Sequence, residues 1–145
     1  MKKTIAIVIF IVLGIFLIGC TAPIAEIIID APSDQSSIEC DTSQGSDFCY
    51  ISVSGTAKIP DEEHICLYLK FSTAEEWWVG GGGAIDKVAS SGQWTMTRVG
   101  VGDLEVDNPP PLLIAALITK ETCQPGSTME KLPSSSVEYT IQVQR

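Results

Sequence analysis

Side chains that could carry out catalysis are few in this 145-residue sequence. The single histidine, His64, lies in a polar turn, and no Gly-x-Ser-x-Gly motif supplies a serine nucleophile for it to activate. A glycosidase holds two carboxyl groups on either side of the scissile bond, and carboxylates are paired at Glu62–Glu63, at Glu75–Glu76 and from Asp103 to Asp107. Their spacing along the chain does not establish such a cleft. We therefore expect no catalysis, with an envelope hydrolase as the less favoured alternative.

A metal or cofactor site is also weakly supported. The segment Asp103-x-Glu105-x-Asp107 offers loop carboxylates, which Ca²⁺ prefers, but it lacks the Asp-x-Asp-x-Asp-Gly pattern of a calcium loop. Zinc would favour closely spaced cysteine and histidine ligands, and no Cys-x-x-Cys pair accompanies His64. The sequence therefore predicts neither a metal nor a cofactor.

The cysteines indicate an oxidising compartment. Four of them, Cys40, Cys49, Cys66 and Cys123, remain once Cys20 is assigned to the N-terminal modification described below. An even number of cysteines in an exported chain favours disulfide bonds. Four cysteines allow three pairings, and their positions in the sequence do not choose among them.

Two adjacent tryptophans, Trp77 and Trp78, are the best candidates for contact with a partner. Consecutive side chains in a strand point to opposite faces, so one indole is expected in the core and the other exposed or packed at an edge. An exposed indole near Tyr68 could stack on a sugar ring or hold an apolar group of a partner protein. We treat these three residues as candidate contact residues.

The first twenty residues have the features of an export signal: Lys2 and Lys3, an uncharged run from Thr4 to Ile18, and Gly19 before Cys20. Leu17-Ile-Gly-Cys20 resembles the lipobox of prokaryotic lipoproteins, whose cysteine carries diacylglyceryl and acyl groups such as palmitate. The resemblance implies a signal peptide over 1–19 that is cleaved, a lipidated tether over 20–24 and a domain over 25–145. It places the domain in the cell envelope, on the extracytoplasmic side of a membrane.

Two alternatives to lipid attachment stay open. The apolar run is somewhat shorter than the about 20 residues of a membrane span, so an uncleaved anchor would need a thinned bilayer. A plain signal peptide with an unmodified Cys20 is the other. The net charge of −9 makes nucleic acid and anionic lipid head groups unfavourable partners for the domain.

The remainder of the chain predicts an all-β domain. Short alternating or β-branched segments, separated by Gly, Pro and Ser turns, predict about seven strands at 26–31, 49–55, 65–71, 76–79, 92–99, 112–119 and 137–143. A loop is expected from Gly100 onwards. The pattern favours a single antiparallel β-sandwich, with a small β-barrel as the runner-up.

Alternation also predicts which side chains point inward. On the third strand Ile65, Leu67, Leu69 and Phe71 should face the core, with Cys66 and Tyr68 on the other face. The continuously apolar Leu112–Thr119 should be a central strand covered on both faces. The last strand should turn four residues inward: Val137, Tyr139, Ile141 and Val143.

The order of several short motifs resembles the Ig-like modules of bacterial and archaeal surface proteins over about residues 26–120. These motifs are Val53-Ser-Gly55, Ile59-Pro60, Leu67-Tyr-Leu69, Trp77-Trp78 and Gly92-Gln-Trp94. The resemblance implies an Ig-like sandwich with an adhesion, spacer or interaction role. In the Ig-like order the strand of Cys66 lies beside the strand that precedes Cys123, which implies the bridges Cys66–Cys123 and Cys40–Cys49.

These observations together predict a lipid-anchored envelope protein that presents an Ig-like binding or interaction module. Its expected partners are the membrane, through the lipidated N-terminus, and a protein or glycan of unknown identity. A lipid-anchored glycan-binding protein is the alternative.

Overall fold

The computed structural model describes residues 24–43 and 47–145, so the predictions for the signal peptide and Cys20 lie outside the described residues. Every regular element within these ranges is a β-strand. The strands are β1 Glu26–Ala31, β2 Phe48–Lys58, β3 His64–Phe71, β4 Trp77–Val79, β5 Gln93–Asp103, β6 Leu112–Thr119, β7 Thr128–Met129 and β8 Val137–Val143. No helix in the described part is long and apolar enough to cross a membrane.

The strands form two antiparallel sheets. One has three strands in the order β1-β2-β5, and the other has five in the order β7-β4-β3-β6-β8. The prediction of an all-β sandwich is confirmed, and the two sheets do not close into the small barrel that was its alternative. The strand orders match those of Ig-like sandwiches. The order β1-β2-β5 corresponds to strands A-B-E, and the order β4-β3-β6-β8 in the other sheet corresponds to strands C′-C-F-G. The short β7 adds an eighth strand that the alternation did not predict.

At one side the chain passes from the three-stranded sheet to the five-stranded sheet. The peptide bond Ala31–Pro32 is cis, and the residues after it run beside the end of β8. The Ile38 N–H donates to the Gln144 carbonyl at 2.8 Å, and the Gln144 N–H donates to the Ser36 carbonyl at 2.9 Å. This segment therefore covers the C-terminal part of the β8 edge.

The main core lies between the sheets and contains the residues that alternation placed inward on β2 and β3. Ile65, Leu67 and Leu69 are fully buried against residues of β2, β5 and β6. Ile141 and Val143 of β8 are buried as predicted. Tyr139 lies on the same face, opposite the core residue Ala116, but this residue of the edge strand is 38% exposed and does not join the core. The five-stranded sheet is wider than its partner, so part of its edge strand is left uncovered.

A second, smaller cluster covers the outer face of β3 and β6. It contains Cys66, Tyr68, Leu117 and Cys123, with partly buried residues of the segment 120–136 packed on it. The prediction that β6 is covered on both faces is confirmed. Burial of β3 on both faces was not predicted, because the covering segment is remote in sequence.

The two predicted disulfide bonds are present. Cys40 and Cys49 join the loop before β2 to β2 itself, with Cα atoms 4.9 Å apart. Cys66 at the start of β3 joins Cys123 after β6, with Cα atoms 5.9 Å apart. Both separations are within the range of protein disulfides.

Strand β5 is longer than the sequence predicted. The loop expected from Gly100 was wrong, because pairing with β2 continues to Asp103 opposite Phe48. The register shifts twice along this pair, opposite Phe48–Tyr50 and opposite Ile51–Val53. Each shift inserts an extra residue in β5, and such bulges bend a strand and redirect its side chains.

Candidate functional site

An aromatic groove lies at the side of the sandwich where the three-stranded sheet ends with β5. Its volume is about 690 Å³. Residues of β2, β4 and β5 line it, together with the end of β3 and the segment before β7: Phe48, Tyr50, Phe71, Trp78, Val79, Gly80, Gly81, Arg98, Gly100, Gly102, Gly126 and Thr128. The lining is therefore mostly aromatic and glycine.

Alternation along β2 brings two rings into the groove. Cys49 and Ile51 face the core, so Phe48 and Tyr50 project from the other face, with ring centroids 5.7 Å apart and ring planes tilted by 43°. Phe48 is 39% exposed and Tyr50 is half-buried. These two rings form the β2 side of the groove.

A second pair of rings comes from the five-stranded sheet. Phe71 ends β3 and Trp78 lies in β4, with ring centroids 5.5 Å apart and planes tilted by 47°. Both side chains are half-buried and pack against the main core. They form a fixed wall of the groove, because their inner edges are held by the core.

Glycines of β5 allow these rings to approach its backbone. A Cβ atom at Gly100 would lie 3.1 Å from the Phe48 ring, and one at Gly102 would lie 3.2 Å from the Phe71 ring. Gly102 also has a φ of 114°, which side chains rarely adopt. The glycines therefore preserve both the rings' positions and the open space between them.

Arg98 is the one charged residue among the residues that line the aromatic groove. It lies in the β5 bulge opposite Ile51–Val53 with a φ of 56°, and its guanidinium carbon is 5.5 Å from the centroid of the Tyr50 ring. Outside the lining, hydrogen bonds from Ser43, and to a smaller extent the Arg98 charge, lower the pKa of the Asp41 carboxyl. The bulge thus directs a cation over an aromatic face, a favourable arrangement.

The three predicted contact residues have different positions. Trp78 lies in the aromatic groove, whereas Trp77 points to the opposite face, where it packs on the second cluster with Lys70 Nζ 5.5 Å from its ring centroid. Both indoles are half-buried: Trp78 packs against the main core, as expected for one of the two, and Trp77 packs on the second cluster of the other face. Tyr68 is fully buried and offers no surface to a partner.

His64 lies next to the long disulfide rather than in the groove. Its Nε2 is 2.7 Å from the Glu121 carbonyl oxygen, and its ligand atom lies within 4.8 Å of the sulfurs of Cys66 and Cys123. Metal binding by cysteine needs the thiolate form, which the disulfide bond does not provide. The carboxylates considered for catalysis or calcium, including Asp103 and Asp107, are exposed, except that Glu63 is half-buried.

A second concavity, of about 410 Å³, lies beside β1 and the segment 88–92. Its charged residues are Glu26 and Lys58, which form an ion pair at 2.8 Å. Because these charges already satisfy each other, this concavity offers a ligand less than the aromatic groove does.

The sequence analysis missed Phe48, Tyr50, Phe71 and Arg98 as candidate site residues. One signal was present in β2, where Phe48 and Tyr50 occupy the positions that alternation assigns to the solvent face. Exposed aromatic side chains indicate a binding surface when they form a contiguous patch, and the sequence shows only that these two positions share a face. No local signal connects them with Trp78, because the connection depends on packing between the sheets.

Comparison of the chain with protein-family models, with curated proteins and with solved structures finds no match. The class of protein is defined by the fold and the groove: it is an Ig-like β-sandwich, cross-linked by two disulfide bonds, with an aromatic groove at an open edge.

Proposed function

We propose that this chain is a lipid-anchored protein of the cell envelope that presents its Ig-like sandwich as a binding module on the extracytoplasmic side. The lipobox-like segment ending at Cys20 supplies the membrane attachment. Two disulfide bonds support an oxidising compartment, because cytosolic chains rarely keep them. Several acyl chains on one cysteine anchor a soluble domain stably, whereas a single chain binds only marginally.

The aromatic groove is the observation that carries the binding role. Four rings and the Arg98 guanidinium converge on one concave surface whose volume suits a small ligand or part of a larger one. Trp, Tyr and Arg are enriched among the residues that contribute most to binding energy at interfaces. Tyr and Trp bury large areas with little loss of side-chain freedom.

A binding role fits the groove better than catalysis. General acid–base chemistry needs a group that exchanges a proton near the working pH, usually histidine or a carboxylate. The lining residues include neither, and their hydroxyls belong to Tyr50 and Thr128. We therefore assign the groove to recognition of a ligand and not to its conversion.

Lipid attachment is tested by replacing Cys20 with serine in cells fed a radioactive fatty acid. We expect label and detergent-phase partition in the wild type and neither in Cys20→Ser, because serine cannot form the thioether. The double variant Cys40→Ser/Cys49→Ser is the matched control, since it loses two cysteines of the domain and keeps Cys20. Equal label in the wild type and in Cys20→Ser would refute the anchoring.

A further inference from the structure

We propose that the aromatic groove binds an acidic glycan, through a pyranose unit that carries a carboxylate. The proposal rests on the binding role given above and specifies the chemistry of the ligand. It depends on three observations: the half-exposed rings, the charge of Arg98 and the irregular edge of β5.

The rings provide the surface on which a sugar stacks. A pyranose has an apolar face of C–H groups and a rim of hydroxyls, so it matches an aromatic ring beside hydrogen-bonding groups. Tyr50 and Trp78 supply amphipathic rings, each with an apolar body and a polar tip. The hydroxyl of Thr128 adds a donor and acceptor at the rim.

Arg98 selects for a negative charge on that sugar. The chain has 18 acidic and 9 basic residues, yet no acidic residue lines the aromatic groove. A planar guanidinium binds a carboxylate through two parallel hydrogen bonds, and such charge-assisted bonds are about twice as strong as neutral ones. The lining of the groove therefore carries one positive charge and no carboxylate, and this makes it complementary to a uronic acid.

The edge of β5 disfavours the main rival ligand, an extended peptide added as a further strand. Strand addition needs a regular row of free backbone groups. Two register shifts interrupt β5, and Arg98 sits at one of them in a left-handed conformation. Bulges and charged residues are the devices by which edge strands avoid pairing with other chains. A ligand in the groove is thus recognised by side chains.

The test titrates the full-length protein in detergent micelles by calorimetry with three probes of similar size. The probes are a tetramer of galacturonic acid, a neutral tetramer of galactose and a tetramer of glutamic acid. We expect the galacturonate to bind about tenfold or more tightly than the galactose, which is the ratio that one charge-assisted hydrogen bond supplies. The glutamate peptide, which has charge without a pyranose, should not bind.

Variants on the two faces of the five-stranded sheet give matched controls. Trp78→Ala should weaken galacturonate binding at least about tenfold by removing a stacking ring, whereas Trp77→Ala removes the same side chain from the opposite face and should not. Arg98→Gln should abolish the preference for the charged sugar. Lys70→Gln removes the equivalent cation, which lies 5.5 Å from the Trp77 ring centroid, and should preserve it.

Each outcome decides the proposal. Equal affinity for charged and neutral tetramers, binding of the peptide alone, or equal effects of Trp77→Ala and Trp78→Ala would overturn it. If Trp78→Ala fails to fold, Arg98→Gln carries the test, because Arg98 is exposed. If Cys20 takes up the radioactive fatty acid but no sugar binds, the glycan proposal is rejected and the proposal of a lipid-anchored module stands. If Cys20 takes up no label, only the proposed lipid anchor is rejected.

Discussion

The two disulfide bonds should contribute unequally to stability, and the difference follows from the chain they enclose. Cys40 and Cys49 are 9 residues apart in sequence, whereas Cys66 and Cys123 are 57 apart. A longer closed loop removes more conformational freedom from the unfolded chain. We therefore compare the double variant Cys66→Ala/Cys123→Ala with Cys40→Ala/Cys49→Ala.

The chain-entropy relation turns these separations into free energies. It gives about 4.2 kcal/mol for the long bridge and about 2.6 kcal/mol for the short one at room temperature. Packing acts in the same direction: Cys66 and Cys123 are both buried, whereas Cys40 is only half-buried beside the buried Cys49. Loss of buried sulfur leaves a cavity that adds to the loss of stability. The long bridge should therefore exceed the short one by about 1.6 kcal/mol or more.

Urea unfolding followed by tryptophan fluorescence measures both losses. The m-value should rise in each variant, because an unfolded chain without the bridge exposes more surface. The enclosed loops do not overlap in sequence, so the variant lacking both bridges should lose about the sum of the two, within about 0.5 kcal/mol. A short-bridge variant that loses as much stability as the long-bridge variant would refute the reasoning.

Two further predictions concern single side chains in the packed regions. Tyr68→Phe should be more stable at neutral pH by about 1 kcal/mol in thermal unfolding, because the buried hydroxyl has no hydrogen-bond partner among the described residues. Burial, and to a smaller extent the charge of Glu121, raises the pKa of Tyr68 above its ordinary value of 10.0. The contribution of this shift to the free energy of unfolding is complete below pH 10.0 and is lost as the pH rises through the higher pKa of the folded state. Tyr68→Phe has no phenol to ionise, so it should not show this loss of stability at alkaline pH. Gly80→Ala should lose about 1–3 kcal/mol in urea unfolding, because its Cβ would overlap the core residue Leu69, whereas Gly82→Ala meets no atom within 4 Å and should be nearly neutral. An unchanged alkaline limb in Tyr68→Phe, or equal losses at the two glycines, would contradict these expectations.

Local sequence pattern was sufficient for most of the fold. Alternation of apolar residues identified β2 and β3 and the residues that these strands turn toward the main core, because one face of each sheet packs against the other. The continuous apolar run identified β6. Both disulfide pairs needed more than local pattern: they were implied by the resemblance to Ig-like modules, whose strand order places β3 beside β6, and the register of Cys66 opposite Leu117 agrees with that order. These features depend on contacts within and between neighbouring strands.

What the sequence did not predict depends on segments remote from each other. The end of β5 looked like a loop because of Gly100 and Gly102, yet β2 pairs with it and aromatic rings cover the glycines. The aromatic groove likewise needs rings from β2 and from the five-stranded sheet at one place. Trp78 could be identified as a candidate because it stands beside Trp77, whereas Phe48 and Arg98 acquire their roles only through packing and the β5 bulge.

Trp77 and Trp78 have different surroundings because the two connecting segments beside them differ in length and in the structure they form. The segment 120–136 between β6 and β8 includes β7 and is tied to β3 through Cys123. It covers the outer face of β3 and β6, and Trp77 packs there as well. The segment 80–92 between β4 and β5 forms no strand beside β5, so that edge stays open next to Trp78. At the open edge a ligand can therefore contact Trp78, Arg98 and the two rings of β2. On the covered face the Trp77 indole already packs against Lys70 and the second cluster.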